Sequence, residues 1–301
     1  MRVRRMPLSR CLRLVAGVAC TAASKAAVTS TFAVAVTGCA ASLSSFQPAH
    51  VGPRRTARAE AGYDVSIPTG TIASTIDAAK TLAGAAESRA LSDDEKIQLF
   101  SAGLNLALNP PAFDYHYGFS INPADNWEIA LRYAGGAPRI AGRHQLLMQE
   151  IHGVDLSVGL GVSRYLYRFP IERIVYVLRI DDFSRWNFDL PISFGWHNDF
   201  FRAWGGPRLA LTTYATDIIL HVPANAASGM ARDESAHASG SGFFSGLQVG
   251  GAAGYRWLFV ALELTIVRLS GSARLDVLGR TTNADTGSWI LYPGAGLMGE
   301  F

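Results

Sequence analysis

The chain has 301 residues, of which 49% are hydrophobic and 17% charged, and its formal net charge is +3. Six basic and no acidic side chains lie within the first 39 residues, and subtracting them from +3 leaves a net charge near −3 for the remainder. The basic isoelectric point therefore belongs to the N-terminal segment and gives no reason to expect a nucleic-acid partner.

The N-terminal segment has the pattern of an export signal. Basic residues open it, an apolar stretch from Ala26 to Thr37 follows, and small residues end it. That stretch has 12 residues, whereas a membrane-spanning helix needs roughly 20. We therefore expect residues 1–38 to form a signal peptide, with translation starting at Met1 or at Met6.

Val36-Thr37-Gly38-Cys39 resembles the lipobox of bacterial lipoproteins, with Val36 in place of the commoner leucine. The resemblance implies cleavage before Cys39, lipidation of Cys39 on its thiol and amine, and insertion of that lipid into a membrane. Ala40 stands where an aspartate would imply retention in the inner membrane, so the resemblance implies the outer membrane. The alternative is an ordinary secretion signal with a chance cysteine.

Cysteine usage agrees with the lipoprotein interpretation. Cys11 and Cys20 lie within the leader, and no cysteine follows Cys39. The mature chain would then contain one cysteine, which allows neither an internal disulfide nor a thiolate metal site. Residues 39–55 are rich in serine, proline and glycine and are expected to form a lipidated tether.

From residue 56 to residue 301, apolar and polar side chains alternate with a period of two, which is typical of β-strands. Around Leu156, Val158 and Leu160, for example, every intervening residue is small or polar. We predict about ten strands, with eight or twelve as alternatives. The predicted strands are 56–67, 112–122, 127–135, 139–150, 154–167, 186–196, 205–220, 242–255, 256–269 and 288–301.

Two features favour a transmembrane barrel over a soluble sandwich. The segments have about 10 to 14 residues, close to the roughly 9 to 11 of a tilted membrane strand and longer than the usual 5 to 6 of globular proteins. Aromatic residues gather at segment ends, and short turns alternate with long polar connections such as 225–242 and 270–288. We therefore predict an all-β protein, an antiparallel up-and-down transmembrane β-barrel at residues 56–301, with its apolar faces towards lipid.

Residues 71–108 depart from the β pattern and are predicted to be a helical insertion between the first two strands. Ser92 and Glu95 form a capping box, and apolar residues from Ile97 to Leu108 recur at helical spacing. The insertion is interpreted as a cap formed by an outer loop, and the alternative is a plug in the lumen.

The chain ends in Phe301, which closes an alternating strand. This ending resembles the signal by which outer-membrane barrels are recognised by their assembly machinery, although Pro293 and Gly299 depart from it. The resemblance implies the barrel assembly machinery as a partner.

The predicted strands place polar side chains on an inward face, where charges of both signs must pair in a narrow lumen. The predicted lumen network is Asp114, His116, Glu128, Arg132, Asp155, Asp189, Arg208, Arg256 and Glu263. We find no nucleotide-binding loop, paired-histidine metal motif or nucleophile elbow, so no catalytic residue, metal ligand or cofactor is predicted.

Three functions remain open. The first is a non-enzymatic envelope protein, structural or with a narrow or plugged lumen for a small solute. The second is a membrane-embedded enzyme that modifies lipid or lipopolysaccharide, with His116 or His197 as base; a serine within hydrogen-bonding distance of either would favour it. The third is a lipid-tethered periplasmic barrel that binds an apolar ligand, which requires Leu156, Val158 and Leu160 to face a closed interior.

Overall fold

The computed structural model describes residues 43–69, 71–166, 170–224 and 229–301. The predicted signal peptide, the lipobox and Cys39 lie outside these residues. The strands are β1 (Ala57–Thr69), β2 (Ala112–Ala124), β3 (Trp127–Ala134), β4 (Ala137–Leu147), β5 (Asp155–Arg164), β6 (Leu178–His197), β7 (Phe201–Val222), β8 (Arg232–Tyr255), β9 (Leu258–Val277), β10 (Arg280–Asp285) and β11 (Ser288–Glu300). The helices are α1 (Thr71–Ser88), α2 (Asp93–Leu108) and α3 (Gln149–His152), with a 3-10 helix at Ile171–Arg173.

The strands close into an antiparallel ring. Each of β1 to β9 pairs with the next, β9 also pairs with β11, and β11 pairs back to β1. The ring therefore contains ten strands, as predicted, and β10 forms a hairpin with the far part of β9. Two backbone hydrogen bonds between Ala57 and Phe301, of 2.9 and 2.8 Å, join the first strand to the end of the last. Closure leaves no exposed edge in the ring.

The apolar face of the wall points outward, as predicted. Leu160 is 71% exposed, and Leu156 and Val158 lie on the same face, whereas Asp155 and Ser157 are buried on the inner face. Leu131, Leu211 and Leu262, on other strands, are also exposed. These side chains form an apolar belt around the barrel. A closed apolar interior behind β5 is therefore ruled out.

The two ends of the barrel differ. At one end, called the turn end here, short connections join β2 to β3, β6 to β7 and β8 to β9. At the other, called the loop end, β6 to β9 continue well past the apolar belt. Much of the chain predicted as polar loops at 225–242 and 270–288 is in fact strand, in β8, β9 and β10. β6 begins at Leu178, eight residues before the predicted strand 186–196, and the 3-10 helix Ile171–Arg173 lies just before it.

Along β7 the inner face of the wall changes from polar to apolar, and the outer face changes from apolar to polar. Inward side chains change from Arg208 to Ile218 and Leu220, while outward side chains change from Leu211 to His221. The pairing of β7 with β8 has no register shift between Phe201 and Val222. Even-numbered residues of β7 therefore face inward, and odd-numbered residues face outward, along the whole strand. The lumen is therefore polar along the belt and apolar at the loop end.

The helical insertion fills this apolar loop end. Leu99, Phe100 and Leu104 of α2 are fully buried in one cluster with Ile218 of β7 and Leu275 of β9. Ser92 caps α2, and both hydrogen bonds of the predicted capping box with Glu95 are present. The insertion thus packs against the inward side chains of the extended strands at the loop end. In the described part of the chain, no helix combines the length and apolar character needed to cross a membrane.

Candidate functional site

Residues 43–50, called the plug segment here, lie inside the barrel and are all buried. They belong to the range 39–55, which was predicted to be a lipidated tether. Leu43 packs with Ala210 and Phe244, and Phe46 is 1% exposed in a cluster with aromatic and apolar side chains of the inner wall. Isolated apolar residues of a serine- and proline-rich segment therefore find apolar patches in an otherwise polar lumen.

Glu263 of β9 is the main anchor of the plug segment. Its carboxylate accepts hydrogen bonds from the backbone N–H groups of Ser45 and Phe46, at 2.7 and 3.0 Å, and from the Ser44 hydroxyl at 3.0 Å. It also accepts one from the indole of Trp204 at 2.8 Å. A segment without regular secondary structure needs partners for its buried N–H groups, and hydrogen bonds to a carboxylate are strong ones.

Arginines of the opposite wall hold the carbonyl groups of the plug segment. Arg132 donates to the carbonyl of Ser44, and Arg143 donates to those of Pro48 and His50. Arg143 also contacts the Glu128 carboxylate through two hydrogen bonds of 2.9 and 2.8 Å. Because a guanidinium has five N–H donors, one arginine can bridge a wall carboxylate and the plug segment.

The wall charges form ion pairs inside the lumen, between strands that are adjacent or separated by one strand. Arg139 makes two hydrogen bonds of 2.9 and 2.6 Å to Asp189, which Arg208 approaches at 3.4 Å. Arg58 bonds Glu128 at 3.1 Å. Buried charges are costly without such partners, and the pairs leave little open space. A cavity beside Arg58 and Glu128 has a volume of about 10 Å³, which is at the lower limit for a single water molecule.

Eight of the nine residues predicted for the lumen network are buried on the inner face. They are Asp114, His116, Glu128, Arg132, Asp155, Asp189, Arg208 and Glu263. The exception is Arg256, for which the prediction is wrong. It is exposed in the turn between β8 and β9, with φ 59°, and its guanidinium lies 5.1 Å from the centre of the Tyr255 ring. The reason is that β9 begins at Leu258, two residues later than predicted.

His116, one of the two candidate bases, lies inside the barrel beside the plug segment. It is fully buried, its ring centre lies 4.7 Å from that of Phe46, and neither ring nitrogen has a hydrogen-bond partner among the described residues. Asp114 shares its face but does not orient the imidazole. A catalytic base needs a hydrogen bond to the group that it activates, and usually a third group that orients it.

His197 lies at the turn end, where it forms part of a polar cluster with His50 of the plug segment. Its Nδ1 is 2.6 Å from a carboxylate oxygen of Asp155, and Nε2 of His50 is 3.0 Å from Glu300. The two imidazole rings stack with their centres 4.5 Å apart. Among the described residues, no serine hydroxyl is hydrogen-bonded to His116 or His197, so the observation that would favour an enzyme is absent there.

Several residues of this network were missed in the sequence. Arg139 and Arg143 lie in a segment that alternates poorly, and Arg58 and Glu300 lie at the ends of the first and last strands. A usable signal existed for β4, because Arg139, Arg143 and Gln145 share one parity of the strand. His50 carried no such signal, because it lies in the segment predicted to be a tether.

No protein-family model matches the chain, and no curated protein matches it. Solved structures of outer-membrane β-barrels are similar to it at low identity. The outer-membrane protease OmpT from Escherichia coli is 11% identical with a TM-score of 0.36, covering 86% of this chain and 100% of that one. OprG from Pseudomonas aeruginosa is 11% identical with a TM-score of 0.35, covering 83% and 97%. Neisserial surface protein A is 8% identical with a TM-score of 0.32, covering 82% and 96%. At this distance a shared activity does not follow from shared β-barrel architecture.

Proposed function

We propose that the protein is a non-enzymatic outer-membrane β-barrel whose lumen is closed by the plug segment, and that it serves as a structural component of the cell envelope. The observation that carries the proposal is the burial of all eight residues 43–50 inside the ring, with Glu263, Arg132 and Arg143 bonded to their backbone. An open diffusion channel does not fit a lumen filled in this way.

The dimensions of the apolar belt support a membrane location. On β9 the outward residues are apolar from Leu258 to Ile266 and become polar at Arg268. At about 3.4 Å per residue and a tilt near 40°, these nine residues span about 23 Å, close to the roughly 25 Å height of the apolar band of outer-membrane barrels. Trp289 pairs with Arg268, and Trp186 pairs with Thr213, at the level where the faces exchange. Tryptophan is common at such a boundary.

The two rival functions are less well supported. An enzyme acting on lipid lacks a nucleophile beside either histidine in the described part of the chain. A soluble barrel that binds an apolar ligand would keep its apolar face inside, whereas Leu160 and its neighbours on β5 point outward.

Conductance across a planar bilayer tests the proposal. The purified full-length chain should insert and give no stable open-channel current at any voltage, because the plug segment remains seated. A steady conductance in the absence of denaturant would overturn the closed-lumen proposal. Heat-modifiable gel mobility together with fractionation into outer membranes tests the location separately, and a chain recovered in the soluble fraction would contradict it.

Lipidation of Cys39 is part of the proposal and is supported by the lipobox resemblance. Mass spectrometry of the mature N-terminus tests this, because an unmodified N-terminal residue would exclude the lipid anchor.

Recognition by the barrel assembly machinery is also proposed, through Phe301. Its side chain is 64% exposed and stacks on Trp257, with ring centres 6.2 Å apart. The exposed ring at the edge of the belt is accessible to a partner during insertion. Removing Phe301 should slow the appearance of the heat-modifiable folded form in cells, and an unchanged rate would exclude this role.

A further inference from the structure

The polar cluster at the turn end borders a cleft that the closed-lumen proposal does not use. The cleft has a volume of about 600 Å³, and its lining includes His50, His197, Gln145, Met148 and Glu150. His50 belongs to the plug segment and His197 to the end of β6, so the two histidines are 147 positions apart and meet through folding. Both rings border the cleft.

Each histidine has one ring nitrogen held by a carboxylate. Nδ1 of His197 is bonded to Asp155 at 2.6 Å, and Nε2 of His50 is bonded to Glu300 at 3.0 Å. The bond to Glu300 fixes Nε2 of His50 and leaves Nδ1 available to a ligand, the usual arrangement around a metal-binding histidine. At His197, a cation would take the place of the proton that Nδ1 shares with the Asp155 carboxylate.

The two carboxylates are themselves held in position. Asp155 is 1% exposed and accepts hydrogen bonds from the side chain of Gln145 at 2.8 Å and the backbone N–H of Gln149 at 2.9 Å. Glu300 contacts Arg58 at 3.3 Å and Arg202 at 3.0 Å. The imidazoles are therefore oriented by groups that are already fixed, which lowers the cost of organising a binding site.

We propose that His50, His197 and Asp155 bind a divalent transition-metal cation at the turn end of the barrel. One donor atom from each of the three residues lies within 4.8 Å of the other two. Two imidazoles and one carboxylate are a common ligand set for Zn²⁺, with a fourth position open to water, here on the side of the cleft. Mg²⁺ and Ca²⁺ prefer sites made of oxygen ligands and fit this set less well.

The surrounding charges permit a cation. Arg58 lies 3.4 Å from Nε2 of His50 and pairs with Glu128 and Glu300, which also pair with Arg143 and Arg202. Asp155 is the third carboxylate, so the three arginines are matched by three carboxylates. Glu150, on the lining of the cleft, adds a further negative charge. Because His50 comes from the plug segment and the other two ligands from β5 and β6, a bound ion would fasten the plug segment to the wall.

Metal titration of the full-length chain in detergent tests the site. Co²⁺ should bind with a stoichiometry of one and give the visible absorption of a low-coordinate site, and Zn²⁺ should displace it. His50→Ala and His197→Ala should each abolish the absorption. Each should also weaken Zn²⁺ binding by more than the roughly 10- to 100-fold that loss of an outer carboxylate costs.

His221→Ala is the matched control, because His221 also contacts a carboxylate, Asp233 at 2.7 Å, but is exposed at the loop end. This variant should bind Co²⁺ like the wild type. Heat-modifiable mobility of all three variants shows whether the barrel has folded.

The inference is overturned if the wild type shows no Co²⁺ absorption, or if both variants at the turn end keep it while folded. It is also overturned if His221→Ala loses it equally. The inference requires a seated plug segment, but its failure is distinguishable from that of the proposed function. A chain that binds no metal and conducts no current loses the metal site and keeps the closed lumen.

Discussion

The belt-level lumen and the loop end of the barrel are filled in opposite ways. Along the belt, the plug segment is held by buried charges, with Glu263 and Arg143 bonded to its backbone. At the loop end, α1 and α2 pack on apolar side chains such as Ile218 and Leu275. Both fillings come from segments next to β1 in the chain, one before it and one after it.

The difference follows from what each part of the wall has on its outside. Where the outer face is the apolar belt, the polar residues of each strand point inward and must be satisfied by ion pairs and by a polar filling. Beyond the belt the outer face carries residues such as His221 and Arg274, and the inner face is free to build an ordinary hydrophobic core. One strand can therefore contribute its belt part to a barrel with an apolar outer face and its loop-end part to a hydrophobic core.

The largest effect is expected from a charge placed in the apolar core of the loop end. Leu104→Asp should destabilise the helical cap by on the order of 4 kcal/mol or more, because the charge would be buried without a partner. Hydrogen exchange should then rise throughout 71–108 while heat-modifiable mobility of the ring persists. Gln98→Asp, on the exposed face of α2, should leave exchange unchanged. Loss of the ring together with the cap would show that the two halves are not independent.

A charge on the outer face tests where the belt ends. Leu160→Arg should lower the free energy of unfolding in lipid by about 2 to 4 kcal/mol, the cost of an arginine near the middle of the membrane. His221→Arg, on the outer face beyond the belt, should have an effect near zero. Equilibrium unfolding in vesicles measures both. Equal effects would mean that Leu160 and His221 have the same surroundings, which would contradict a lipid-facing belt that ends before His221.

Removing an anchor of the plug segment tests how the polar lumen along the belt is filled. Glu263→Ala leaves buried N–H donors of Ser45, Phe46 and Trp204 without their acceptor, at a cost of about 2 to 3 kcal/mol. Exchange at residues 43–50 should rise, and intermittent conductance should appear in planar bilayers. Glu234→Ala removes a carboxylate that pairs with Lys96 at the loop end and should change neither. Unchanged exchange in Glu263→Ala would contradict the anchoring role.

The smallest expected effect concerns pH at the cap. The side-chain hydrogen bond from Arg89, together with the backbone bond from Ser92, lowers the pKa of Glu95 from 4.5 to about 2. A lowered pKa in the folded state stabilises the start of α2 above the unfolded value, and this contribution is lost as the pH falls from about 4.5 to 2. The protection factors of amides at 93–97, which are corrected for intrinsic exchange, should fall over that range, whereas those of Glu95→Gln should not change with pH.

The sequence predicted the belt-level strands well and the rest of the molecule less well. Strands β2, β3 and β11 lie within about two residues of their predicted bounds, because an apolar outer face alternates visibly with a polar inner one. The far parts of β8 and β9 were taken for loops. In those parts the apolar residues, such as Leu275, face inward and the outward residues are polar. The apolar face therefore changes from the outer to the inner side of the wall within one strand.

The plug segment and the turn-end cluster could not be predicted for a different reason. The contacts of Ser45 and Phe46 are with Glu263, more than 200 positions away, and His50 meets His197 across 147 positions. Serine and proline are as common in linkers as in a buried segment without secondary structure. Only the closed ring brings the acceptors for their N–H groups together, and the sequence of residues 43–50 does not indicate which wall residues those acceptors are.

The position of the plug segment also restricts the order in which the barrel can assemble. The segment leads directly into β1, and β1 forms the seam of the ring with β11, the last strand of the chain. Its contacts come from strands that include β3, β4, β9 and β11, so they are complete only when the ring has formed. Residues 43–50 must therefore be inside the partly formed ring before the seam closes, or thread into it afterwards. Residues 43–50 are synthesised before every strand of the ring, but their contacts are among the last in the barrel to form.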